Sequence, residues 1–343
     1  MKNEKRTSLK DIAEKAGVST SVVSFVLNGK SKQYRISDSM TKRVVQIAKE
    51  LNYQPNLTAK SLRRGYTKSI GVVLSDISNP FFAVVARHIE DVADKAGYTV
   101  LFVSSDENSG KMERQIAGLL NKGVDGLIVV PCEKSETILQ KIKDDGIPAI
   151  LLDRYLLDID MSYVCLNNYD ATFSATNHLI SNGYNHIGII ANDAGLMHMR
   201  ERVRGYKEAM IANGLNDKIE TGYVNLFASD KQMEQITKQV ISRGVDALVL
   251  ATNTISIKVL FQIKEMSVRV PHNMGIVGFD GSNAFEFFTS PITYIKQPIE
   301  QLAVESFGLL QKQIENNKSE KEYIKIEGSL IVRGSSSRIN LNF

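Results

Sequence analysis

The sequence predicts an α/β protein in two parts: a small three-helix head at the N-terminus and a larger body in which parallel sheets carry helices on both faces. Three observations carry this reading. Residues 1–66 hold 14 Lys and Arg against 5 Asp and Glu, a balance of +9, whereas the remaining 277 hold 28 against 33, a balance of −5. From Ser69 onward, short β-branched runs alternate with amphipathic helical patterns. The segment NKGVDGLIVV, from Asn121 to Val130, recurs almost unchanged as SRGVDALVLA, from Ser242 to Ala251, so the body contains two lobes of one build.

The head is read helix by helix. Ser8 followed by Asp11 resembles a capping box, after which Leu9, Ile12, Ala13 and Ala16 share one helical face and Gly17 stops the helix. Ser19 caps a second helix with Val22, Val23, Val26 and Leu27 on its inner face, which leaves Thr20, Ser21, Ser24, Phe25 and Asn28 outside. Steeply crossed helices need a small residue at the crossing, a turn residue tolerant of positive φ and a branched residue to close the contact. Ala13, Gly17 and Val23 supply these in the form of a helix-turn-helix. A third helix starts at Ser37 and buries Val44, Val45, Ile47, Ala48 and Leu51. In NYQPNLTAKSLRRG, Pro55 breaks the chain, Asn56 caps a short helix to Arg64 and Gly65 ends it; so short a helix holds together only against a partner. Surplus positive charge on a helix-turn-helix points to DNA, because phosphate neutralisation supplies the sequence-independent part of DNA affinity.

The stretches SLKDIAEKAGVSTSVVS, ELNYQPN and AKSLR together resemble the lac repressor and purine repressor family of bacterial transcription regulators, and the likeness extends over essentially the whole chain. The resemblance implies a head at 1–54, a hinge helix and linker at 55–66, and a two-lobed body at 67–343 related to periplasmic sugar-binding proteins. It also implies a homodimer on operator DNA, with the second helix in the major groove and Leu62 of the hinge wedged into the minor groove. The DNA-contact set it implies is Ser8, Ser19, Thr20, Ser21, Ser24, Phe25, Asn28, Tyr53, Asn56, Ala59 and Leu62. Two features depart from the family pattern. The loop NGKSKQYRIS is longer and more basic, and Phe25 stands where the family often carries a base-reading arginine. Phe25 either packs under that loop against Tyr34 or Ile36, or lies in the groove against a thymine methyl.

In the body, IGVVL, TVLFVSS, DGLIVV and PAILLD alternate with helical stretches, and HIGII, YVNL, DALVL and MGIVGF form a second series. Two such lobes put a cleft between them beyond the strand C-termini, where small ligands bind. Asp153, Asn253 and Asp280 follow strands, and Arg202 near the start of RVRGYKEAM offers a planar fork to hydroxyls or a carboxylate. All four match sugar-contacting positions of the family, and Phe81 and Phe82 match pocket aromatics, so the expected effector is a sugar or sugar derivative. Thr254 departs from the Asp that many relatives carry, and with no Trp any stacking on a sugar face falls to Phe or Tyr.

Other classes find little support. The chain shows no P-loop, no dinucleotide glycine fingerprint and no G-x-S-x-G elbow, so no enzyme and no cofactor are expected. The five histidines show no metal spacing, and His178 and His186 sit among apolar residues as structural groups do. Cys132 and Cys165 fall in apolar runs as buried thiols. MKNEKRTSLK carries charges with no apolar run behind it, and no run nears the roughly 20 residues of a bilayer span, so a cytoplasmic protein without a membrane partner is expected.

Overall fold

The structure is a computed structural model and describes residues 7–53, 66–193, 195–316 and 320–338. The hinge positions Asn56, Ala59 and Leu62 lie outside the described residues. The chain divides into two compact units, Met1–Thr67 and Lys68–Phe343.

In the first unit, Ser8 caps α1 (Leu9–Ala16) through a reciprocal box with Asp11, and Gly17 ends it at φ 67°, a left-handed conformation that costs glycine nothing. Ser19 caps α2 (Thr20–Leu27), and Ser37 caps α3 (Asp38–Glu50). Ile12, Ala13, Ala16, Val23, Val26, Val44, Ile47 and Ala48 meet in one small core. Val45, expected on the inner face of α3, is 44% exposed. It lies about 100° round the helix from Val44, and among the described residues α1 and α2 are the helices that pack on α3, which buries a narrow stripe.

The second unit holds two six-stranded sheets. The first joins β1 (Ser69–Leu74), β2 (Thr99–Ser104), β3 (Gly126–Val129), β4 (Ala149–Leu152), β5 (Tyr163–Leu166) and the late β11 (Tyr323–Ile326), parallel throughout in the order β11-β5-β4-β3-β1-β2. Helices α4 (Pro80–Lys95), α5 (Ser109–Asn121), α6 (Glu136–Asp144) and α12 (Ile299–Glu315) cover it through two apolar clusters.

The second sheet joins β6 (Ile187–Asn192), β7 (Glu220–Val224), β8 (Ala247–Leu250), β9 (Gly275–Phe279), β10 (Thr293–Lys296) and β12 (Ser329–Ile331), in the order β12-β10-β9-β8-β6-β7. Only the β10–β12 pair is antiparallel. Its helices are α7 (Asn168–Ser181), α8 (Met197–Ala212), α9 (Asp230–Ser242), α10 (Asn253–Glu265) and the short α11 (Asn283–Glu286).

The chain passes between the lobes three times, after β5, after β10 and after β11. The passages lie side by side: Asn167 Nδ2 donates to Glu327 Oε1 at 2.7 Å, and a Cβ on Gly328 would come within 3.1 Å of Leu166 and 3.4 Å of the Lys296 carbonyl. Three short parallel connections of this kind allow the lobes to turn about one line while each core stays intact.

Candidate functional site

In the head, Thr20 and Ser21 stand exposed on the outer face of α2, with Ser24 half-buried behind them. The hydroxyls of Ser8 and Ser19 serve their helix caps, accepting from Asp11 N–H and Val22 N–H at 3.3 Å. Asn28 turns back on its own helix, donating from Nδ2 to the Ser24 carbonyl at 2.7 Å. Tyr53 packs half-buried against the head core. Phe25 stacks on Tyr34, with ring centroids 3.6 Å apart and planes within 6°. Of the two arrangements open to Phe25 from the sequence, packing under the long loop is the one in this structure.

Between the lobes of the body lies a cavity of about 250 Å³. The first lobe contributes Asp76, Asn79, Glu107, Glu133 and Arg154 to its wall; the second contributes Asn192, His198, Asn225, Phe227, Thr252, Thr254 and Lys258, among others. Arg154 is 7% exposed and grips Glu107 with two bonds, from Nη2 to Oε1 at 2.7 Å and Nη1 to Oε2 at 2.8 Å. Its Nε faces Asp153 Oδ2 at 3.4 Å without a hydrogen bond. The other wall cation, Lys258, pairs with Asp230 at 3.1 Å and donates to the Ala228 carbonyl at 2.9 Å. Across from Arg154, His198 keeps a buried Nδ1 with no partner, and burial together with the nearby Arg154 holds its pKa well below the usual value. The ring is therefore neutral. Phe227, 72% exposed, presents an uncovered ring to the opening.

The six residues expected to touch an effector are placed close by, but none forms the wall of this cavity. Phe81 and Phe82 pack edge to face in the core of the first lobe, and the Arg154 guanidinium lies 6.0 Å above the Phe82 ring. Arg202 is 3% exposed; its Nε donates to Asn168 Oδ1 and its Nη1 to the Ala251 carbonyl, each at 2.7 Å, and its guanidinium lies 3.6 Å from the centre of the Phe279 ring. Desolvation lowers its pKa to about 10, against the pull of Asp280 and Asp153, so it remains charged at neutral pH. Asp280 accepts from Gln297 Nε2 at 2.8 Å, and desolvation raises its carboxyl to about 6. Burial likewise raises Asp153. Asn253 opens α10, and its Nδ2 lies 3.5 Å from the Asp280 carbonyl oxygen.

These polar groups form a layer behind the wall that is tied to the inter-lobe passages. Asn168, which holds Arg202, follows the first passage, and Gln297, which holds Asp280, belongs to the second. Among the described residues, Arg202 Nη2 has no hydrogen-bond partner, which leaves its two N–H groups free. Sequence reasoning missed Arg154, His198 and Phe227. Each stands one to four residues from a residue or strand end that it did single out, but Arg154 and Phe227 lie in loops with no periodic pattern and His198 lies in the first turn of α8, so the sequence gave no sign of which way they point.

Cys132 and Cys165 are buried, with thiols pushed up to about 11 and about 12 by burial, and His178 Nε2 shares a 2.7 Å hydrogen bond with Ser336 Oγ. Among the described residues no group of His, Cys, Asp and Glu is arranged to hold a metal ion, and no helix is long and apolar enough to cross a membrane.

A helix-turn-helix head followed by two α/β lobes with a ligand-sized cavity between them defines a class, the ligand-responsive DNA-binding regulators. Comparison with known proteins agrees. Residues 8–56 match the lacI family of bacterial regulatory proteins, and residues 176–336 match the periplasmic binding protein-like domain. The transcriptional regulator KdgR of Bacillus subtilis (strain 168) is 30% identical over 337 residues, 96% of this chain and 97% of the relative. The transcriptional repressor PurR of Actinobacillus pleuropneumoniae serotype 3 (strain JL03) is 28% identical over 336 residues, 97% of this chain and 99% of the relative. In fold, the chain is similar to the lac repressor dimer bound to operator and the anti-inducer ONPF, with TM-score 0.85, 24% identity and coverage of 97% and 99%. It is also similar to the transcriptional regulator CelR in complex with cellobiose, with TM-score 0.69, 25% identity and coverage of 96% and 100%. The chain belongs to the lacI family: it is a transcriptional regulator with a DNA-binding helix-turn-helix and an effector-binding body.

Proposed function

We propose that the chain is a homodimeric, cytoplasmic repressor without catalytic activity, whose operator affinity is set by a neutral sugar or sugar derivative held between the lobes. The observation that carries the effector class is the makeup of the cavity wall. Both wall cations are already paired, whereas Asp76, Asn79, Glu133, Asn192 and Asn225 each hold the protein through one side-chain atom and, among the described residues, keep the second carboxylate or amide atom for a hydroxyl, and Phe227 offers an open ring to a sugar's C–H face. The structures of CelR with cellobiose and of an Enterococcus faecium relative with ribose are in keeping with this class.

The coupling follows from the layer behind the wall. An effector that draws the lobes together changes the surroundings of Arg202 and Asp280, and through Asn168 and Gln297 biases the passages about which the lobes turn. In this reading residues 1–54 form the DNA-binding head, 55–66 the hinge whose Leu62 wedges into the minor groove with Asn56 and Ala59 as further DNA contacts, and 67–343 the effector-binding and dimerisation body. Arg202, with its free Nη2, and Asp280 reach the effector when the lobes close, and Asp153 and Asn253 support them. The test is a thermal-shift screen of neutral sugars, sugar acids and nucleobases against the full chain, followed by calorimetry and operator retardation. A neutral sugar that both raises the melting temperature and alters DNA affinity supports the proposal; a response confined to sugar acids or nucleobases overturns the effector class.

A further inference from the structure

After α2 the head carries a basic, exposed loop. Residues Lys32, Gln33, Tyr34 and Arg35 form an unbroken exposed run, and from Asn28 to Ser37 the chain has no acidic residue. The loop is nevertheless well fixed. Lys30 N–H donates to the Phe25 carbonyl at 2.9 Å, Tyr34 N–H to the Lys30 carbonyl at 3.1 Å and Ile36 N–H to the Ser31 carbonyl at 2.9 Å, while Ile36 packs on the head core. The Tyr34 ring lies flat on Phe25. Among the described residues the Tyr34 hydroxyl has no hydrogen-bond partner, and Lys30, Lys32 and Arg35 make no ion pair.

We propose that this loop is a second DNA-contact element that clamps the operator backbone, with Tyr34, Lys32 and Arg35 as its phosphate contacts and Phe25 as a positioning residue instead of a base reader. The proposal rests on the operator-binding function of the head. Phosphate oxygens only accept hydrogen bonds, and the run presents ammonium, phenol and guanidinium donors with no carboxylate to repel them. It also follows the C-terminal end of α2, where the helix's own carbonyl charge disfavours phosphate, and the loop's cations reverse that sign. Phe25 spends one ring face on Tyr34 and so fixes the direction of the phenol, as an aliphatic side chain cannot.

The test uses the full chain and a duplex it enriches from random DNA, together with single-base variants of that duplex. Phe25→Leu and Tyr34→Ala are each expected to weaken binding by roughly threefold to tenfold on every duplex without changing their rank, and the double variant to be little worse than either single one. Phe25→Tyr, which keeps the stack, is expected to restore binding. Lys32→Ala and Arg35→Ala are each expected to lower the slope of log affinity against log salt by about 1. A changed base preference in Phe25→Leu, or unchanged affinity and salt dependence in Tyr34→Ala and both cation variants, overturns the proposal. Should Phe25→Leu unfold the head by circular dichroism, the three loop variants decide. A full chain that enriches no sequence rejects the operator-binding premise, whereas enrichment with unaltered loop variants rejects the clamp alone.

Discussion

Arg154 and Glu107 form a two-bonded ion pair of which both members are nearly shut off from water. Removing one charge leaves the other buried and unpaired, so Arg154→Ala is expected to destabilise the body by about 3–5 kcal/mol, whereas Arg154→Met with Glu107→Leu recovers most of the loss. Urea unfolding of both variants checks this. Asp280 carries a pH signature. Its carboxyl titrates near 6 in the fold against an ordinary value of 3.8, so the folded state holds the proton more tightly than the unfolded chain does. The associated stability is fully present below about pH 4 and lost as pH rises through 6. Asp280→Asn should therefore be more stable than the parent by about 1–2 kcal/mol at pH 8, with the gain gone by pH 4. Melting curves at several pH values test it; a gain that grows toward acid contradicts the assigned cause. At this scale the sequence was a partial guide. It marked Asp153, Arg202 and Asp280 as polar groups near strand ends, but whether such a side chain lines a cavity or lies behind it depends on neighbours far away in the chain.

At the scale of the element, the packing of α7 on α8 sets where Arg202 stands. A Cβ on Gly205 would lie 2.3 Å from the Tyr169 carbonyl oxygen, backbone that has no room to yield. Gly205→Ala is expected to force the helices apart, destabilise the body by about 1–3 kcal/mol and weaken effector binding by displacing Arg202. Thermal unfolding and calorimetry measure the two effects, and an alanine variant with parental stability rules out the close approach. For the hinge, Leu62→Ala is expected to reduce operator affinity and DNA bending while leaving salt-dependent, non-specific binding almost intact, because a wedge is lost and phosphate contacts are not. Parental bending in the variant contradicts the wedge. The caps and the glycine stop of the head were legible because each is a local event: the Ser8–Asp11 box and Gly17 need only their own neighbours. Strands β5, β10, β11 and β12 were not, since they lack the regular strand-to-helix alternation that marked the others.

For the whole molecule, the division into Met1–Thr67 and Lys68–Phe343 matches the charge split, and each unit has its own apolar core. A fragment beginning at Thr67 is expected to stay folded and bind the effector while losing specific operator binding; specific retardation of operator DNA by that fragment contradicts the assignment of the head. By itself the sequence determined that a basic helix-turn-helix precedes two α/β lobes of one build, since charge segregation, helix caps and hydrophobic periodicity are properties of short segments and survive without a fold. Only the tertiary structure decided that the C-terminal strands are shared between the lobes, that Arg154, His198 and Phe227 wall the cavity while Arg202 lies behind it, and that Phe25 is covered by Tyr34. Those outcomes depend on contacts between residues as far as 160 positions apart, as between Asn167 and Glu327, and on competition for burial that no local pattern records.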